Sequence, residues 1–131
     1  MSIWQAHRWT FCALPLLIVS SCAGQRNCTP ENLQRLDGLV DGHEIVAYVG
    51  KCHATVDDDV NVSFHDPEAN LRSRTGDILH VYHAYNVKLE RVAPDTVKVT
   101  YAASGDKIIF KSVSEAKGVT FVFENNWDAF E

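Results

Sequence analysis

The residues whose types could do chemistry are His53, His65, His80 and His83, with Asp57, Asp58, Asp59 and Asp66 among them. Imidazole is a ligand for zinc or copper, carboxylates hold calcium, and the two together make general acid–base pairs. Their spacing argues against each use. His80 and His83 are three apart, which puts them on one face of a helix but on opposite faces of a strand. The local pattern is strand-like, so the expectation is two half-exposed strand histidines, which only a β-bulge would bring together. The triplet 57–59 lacks the spaced oxygen ligands and the glycine of a calcium loop and reads as a solvated turn. An enzyme or metal protein built on His53, His65, His80 and His83 requires at least three of them to converge in one cleft. Ser63, Ser104, Ser112 and Ser114 have no nucleophile-elbow context. A phosphate loop, a dinucleotide fingerprint and a zinc-protease helix are all missing from the sequence. The reading is therefore a non-enzyme with no catalytic residue, no metal and no cofactor.

Tyr48, Tyr82, Tyr85, Tyr101 and Trp127 could line a binding face. Aromatic side chains favour strands, however, and packing across neighbouring strands is the plainer expectation.

Four cysteines carry different messages. Residues 11–19 form a short apolar run after Arg8, too short to span a bilayer but right for the core of an export signal. Val19-Ser20-Ser21-Cys22 resembles a lipobox, in which the thiol of Cys22 takes a diacylglycerol before cleavage. Ala23 and Gly24 lack the aspartate that resembles an inner-membrane retention signal. The expected address is the outer membrane of a bacterial envelope, facing the periplasm, as an acylated lipoprotein of the palmitate-carrying kind. Secretion after cleavage near Ala23 is the alternative. A chain acylated at Cys22 would carry more than one lipid chain, which gives stable anchoring. Cys12 leaves with the signal. Cys28 and Cys52 remain, and an oxidising compartment makes a disulfide between them the default.

Removing the first 21 of 131 residues leaves 110, one domain with a modest core. Arg8 is the only lysine or arginine lost, so the net charge moves from −5 to −6. That charge argues against a nucleic-acid partner or a polybasic membrane patch.

The elements that must position these residues are strands. Residues 22–42 read as a polar tether, with a helical turn capped by Thr29 and started by Pro30. From residue 43 the apolar period becomes two: Ile45, Ala47 and Val49, then Val60, Val62 and Phe64. Strand character returns from Ile78 to Val92. After the turn at Pro94, Val97, Val99 and Tyr101 alternate with polar residues. Ser104-Gly105-Asp106 reads as another turn, followed by strands near residues 108–113 and 119–124. The expectation is an all-β domain over residues 43–124, a small antiparallel sandwich or barrel of six or seven strands with up-and-down hairpins. The hairpin 86–101 is its clearest element, and the tail 125–131 is expected to fray, with Trp127 able to cover one core edge.

Cys52-His53-Ala54-Thr55 before Val60-Asn61-Val62-Ser63 resembles the Cys-Gly-Ala-Thr-Thr segment and Val-x-Val strand of a family of small exported bacterial proteins of unknown function. Gly76-Asp77, residues 87–89, Val97-Lys98-Val99-Thr100-Tyr101 and Gly118-Val119-Thr120-Phe121-Val122-Phe123 follow in that family's order, over about residues 45–124. His53 stands in place of the family's Gly, Asp77 in place of its Asn, and Leu89 in place of its Trp. The resemblance implies the exported compartment and a β architecture, and no activity.

The functional expectation is a lipid-anchored β domain with a non-catalytic binding or envelope role, joined to the membrane through its lipid and to a protein partner through an edge strand. An inhibitor or immunity protein against a toxin or cell-wall hydrolase is the second expectation. It would present an acidic loop at 57–59 or 66–77 to a basic enzyme.

Overall fold

A computed structural model describes residues 28–52, 56–72 and 74–131 of the protein. Seven strands follow one another: β1 (Cys28–Val40), β2 (His43–Cys52), β3 (Asp59–His65), β4 (Leu79–Ala93), β5 (Thr96–Ser112), β6 (Glu115–Ala116) and β7 (Val119–Asn125). They make one sheet in the order β1-β2-β3-β4-β5-β7-β6. The class is all-β, as the period-two pattern requires. The sheet stays open: strand pairing neither splits it into a sandwich nor closes it into a barrel.

Alternation selects the inner face. Ile45, Ala47 and Val49 of β2 join Val60, Val62, Val81, Val87, Val97, Val99 and Phe121 in one buried cluster. β1 to β5 are joined by antiparallel hairpins. The segment Asn86↔Ala102 through Ala93↔Thr96 realises the hairpin read from residues 86–101.

Four expectations are corrected. Residues 28–40, read as part of a tether with a helical turn, are strand β1. Cys28 pairs with Cys52 in register and is bonded to it, which pins the strand's start. Asn32 at φ 54 absorbs a register shift between Glu31 and Gln34. Pro30 is tolerated because β1 is the edge strand. Second, residues 104–106 do not end a strand. They belong to a looped-out bulge inside a 17-residue β5, between the pairs Ala84↔Ala103 and Tyr82↔Ile108. Third, β7 runs parallel to β5, from Thr96↔Thr120 to Tyr101↔Asn125. The two-residue β6 and the turn Lys117-Gly118, both at positive φ, reverse the chain before β7 begins. Fourth, the tail does not fray over 126–130: Asn126 N–H donates to Tyr101 O at 2.8 Å, and Trp127 Nε1 to Ala103 O at 2.7 Å.

Two side-chain amides finish what strand pairing leaves open. Gln34 of β1 donates to Val87 O at 2.6 Å and accepts from Leu89 N–H at 2.7 Å. One side chain thus stands in for a neighbouring strand where β4 would otherwise be bare, and the sheet curls until β1 meets β4. Asn125 does the same for β5, accepting from Ala103 N–H at 2.9 Å and donating to Ala103 O at 3.3 Å.

Candidate functional site

The outer face of the sheet is polar where β2, β3 and β4 meet. Asp59 and Asn61 point outward on β3, yet they are 3% and 0% exposed. Burial of such groups requires partners. Asn61 donates to Asp59 Oδ1 at 3.0 Å and accepts from Gly76 N–H at 3.0 Å. Asp59 Oδ2 lies 2.8 Å from His80 Nε2. Residues 74–77 cover this face: Tyr48 hydroxyl donates to Arg74 O and accepts from Arg74 N–H, and Gly76 sits hard against β3.

Three irregularities follow one another on β4, at His80/Val81, Tyr82/Ala84 and Ala84/Asn86. His83 lies among them at φ 59, a conformation uncommon for a side-chain-bearing residue. Strain of this kind is held only where neighbours over-determine it. Here Asp58 O accepts from both His83 N–H and Ala84 N–H, at 3.1 and 3.4 Å. His83 Nδ1 lies 2.7 Å from Asp57 Oδ2, and Tyr85 hydroxyl donates to the same oxygen at 2.6 Å. Tyr82 hydroxyl accepts from Asp57 N–H at 3.0 Å. Hydrogen bonds from Tyr85, then His83, then Asp58 N–H hold the Asp57 carboxyl down to about 2. The same bond from the other side raises the Tyr85 phenol, which keeps its proton to donate. The carboxyl of Asp106 is lowered chiefly by the Ser104 hydroxyl that donates to it.

The bulges also turn side chains outward. His80 pairs with Lys111 and Val81 with Ile109, so Phe110 is the extra residue between them. Its ring stacks on His80 at 5.0 Å and lies 6.5 Å from Tyr82. Tyr82 lies 4.1 Å from the His83 ring, and Tyr85 lies 5.9 Å from Trp127. The result is a band of rings across the outer face, in which Phe110 and Trp127 are 60% and 50% exposed.

His80 and His83 do reach one face through bulges, but each meets its own carboxylate. His65 is apart from them and pairs with Glu44, Nδ1 to Oε2 at 2.7 Å, with Arg35 on the same oxygen. His53 and Cys22 lie outside the described residues. No group of three or more His, Cys, Asp or Glu side chains is arranged to hold a metal among the described residues. The solvated turn expected at 57–59 is overturned: Asp59 is buried, Asp58 is bound to Lys51 at 2.6 Å, and Asp57 is held by His83 and Tyr85. Of the five aromatic residues singled out, Tyr101 is in the core and Tyr48 is buried beneath the loop, while Tyr82, Tyr85 and Trp127 belong to the band.

Sequence reasoning missed Phe110, Lys107 and Lys111, and read Ser104 and Asp106 only as turn residues. A signal was present: Ile108-Ile109-Phe110 breaks the alternation between two lysines, the pattern of a guarded sheet edge. None of the family models, curated proteins or solved structures compared with the chain matches it.

Proposed function

We propose that this chain is a lipid-anchored, periplasm-facing β domain whose role is to bind another protein, without catalysis. The observation that carries the binding role is the half-exposed band of Phe110, Tyr82, Tyr85 and Trp127. Apolar rings gathered on a surface and rimmed by polar residues mark protein contacts, and aromatic anchors dominate their energetics. The imidazoles beside the band are committed to Asp59 and Asp57, and His83 Nε2 faces Asp106 at 4.0 Å rather than a hydroxyl. This arrangement suits fixing a surface better than moving protons.

The anchor reading is supported by the lipobox-like residues 19–22. Only residues 23–27 separate Cys22 from the start of β1, so a lipid there would hold the β1 edge of the sheet close to the bilayer.

The test is intact-mass analysis of the membrane fraction with and without reductant, followed by capture from an envelope extract. The expected species starts at an acylated Cys22 and carries one disulfide. Capture of a stoichiometric partner should weaken about tenfold for Phe110→Ala or Tyr82→Ala, the scale of one aromatic anchor. An unacylated chain would remove the anchor reading. Capture indifferent to both substitutions would remove the binding face.

A further inference from the structure

Among the described residues, no strand pairs with the far half of the β5 edge beside this band. β7 accompanies β5 only as far as Tyr101↔Asn125, and the Asn125 amide adds Ala103. Beyond that, among the described residues, 104–107 loop out as the bulge and 108–112 pair with β4 alone. The stretch is apolar as well as open: Ile108, Ile109 and Phe110 are 47%, 48% and 60% exposed. An edge of this length offers a row of backbone donors and acceptors to an added strand. Trp127, bonded to Ala103 O, closes one end of the slot.

Charge decides what fits. The mature chain carries a net −6, yet the residues flanking the apolar three are Lys107 and Lys111. A second copy added antiparallel about Ile109 would set the Lys107 and Lys111 side chains of the two copies against each other. Like charges directly opposite destabilise a pair of strands, whereas opposite charges support it. The lysines therefore disfavour self-pairing and favour a strand with carboxylates at its ends.

We propose that the β5 edge, residues 108–112, captures an extended segment of a partner protein, apolar at its centre and acidic at both ends, by adding it to the sheet. This deepens the protein-binding reading above and rests on it. The backbone supplies the affinity, Ile108 and Phe110 supply the apolar contact, and Lys107 and Lys111 select the charge.

The test uses the exported protein, isotope-labelled, and two capped seven-residue peptides of alternating valine and threonine. One peptide ends in glutamates and the other in lysines. The glutamate peptide should shift and protect the amides of residues 108–112 and bind about tenfold more tightly at low salt. The preference should fall below about threefold in the Lys107→Gln, Lys111→Gln double variant, whose unchanged spectrum elsewhere reports that the fold is intact. Equal binding of both peptides, or shifts confined to residues outside 104–112, would overturn the proposal. So would edge-to-edge dimerisation of the protein itself. Loss of the envelope partner on Phe110→Ala without any peptide response at the edge would leave the binding face standing and remove only this mode of capture.

Discussion

Asp57 Oδ2 lies 2.7 Å from His83 Nδ1, and His83 is held at φ 59 where β4 bulges. A carboxylate on one connection thus pins a strained residue on a strand 26 positions away in sequence. The contact and the bulge account for each other: the bulge swings the imidazole outward, and the carboxylate keeps it there.

The pH dependence follows from the sign of the shift. The Asp57 carboxyl is lowered to about 2 from 3.8, so the folded state favours its charged form. On acidification the unfolded chain takes up this proton first. The contribution is complete above the unfolded value and is lost as the pH falls from about 4 to about 2. Acid unfolding of Asp57→Asn should be flatter across that window than that of the unaltered protein, and the two curves should converge near pH 2. Circular dichroism against pH at fixed temperature measures it. Parallel curves would show that the carboxylate does not titrate with folding.

The bulge itself makes a separate prediction. His83→Gly removes the imidazole but relieves the positive φ, whereas His83→Val loses the imidazole and adds a β-branched clash. His83→Val should be the less stable of the two by about 1–3 kcal/mol, the cost of forcing an unsuitable residue into that conformation. Urea unfolding of both variants checks it. Equal stabilities would mean that the strand straightens when the imidazole is absent.

Gly76 is the tightest backbone contact under the outer loop. A Cβ built there would meet Leu79 O at 2.1 Å and both Val62 N and Val62 O at 2.7 Å. These are backbone atoms of β3 and β4, which have no room to give. Gly76 N–H also satisfies the buried Asn61. Gly76→Ala should cost more than about 3 kcal/mol, the range in which a core clash combines with a lost buried hydrogen bond. A melting temperature within about 3 °C of the unaltered protein would show that the loop can lift off the sheet without penalty.

Much of the strand pattern was legible because burial on one face imposes alternation. The inner-face residues of β2, β3, β7 and the first half of β5 announce themselves at period two. The disulfide was legible from the cysteine number and the expectation of export, and the structure closes it between Cys28 and Cys52. What the sequence hid was held by polar side chains acting over distance. β1 is short of apolar residues, so its alternation is weak; Gln34 and the disulfide hold it instead. Ser104-Gly105-Asp106 has turn chemistry, but pairing with β4 resumes beyond it and overrides the local signal. The His80–Asp59 and His83–Asp57 pairs depend on bulges, which shift phase by one residue and defeat any argument from spacing. The open edge at 108–110 was visible only as a break in alternation, whose meaning depended on knowing where β7 ends.

Gln34 gives the sharpest test of how the sheet curls. Its amide occupies a donor and an acceptor of β4 at once, Leu89 N–H and Val87 O. Replacement by Glu keeps the acceptor for Leu89 N–H but turns a carboxylate oxygen toward Val87 O. Replacement by Leu loses both bonds and leaves two half-buried backbone groups without a side-chain partner. Each such group costs about 1–3 kcal/mol when water cannot reach it. Gln34→Leu should therefore destabilise the protein by about 2 kcal/mol, and Gln34→Glu by at least as much, because repulsion between two acceptors adds to the lost bond. Hydrogen exchange locates the effect. The Leu89 amide should exchange faster in Gln34→Leu, while the Val60 and Val62 amides, far from the seam, keep their protection. Unchanged exchange at Leu89 would show that β1 rests against β4 by apolar contact alone, and that Leu36 and Leu39, packed on the core cluster, are what draw the edge strand inward.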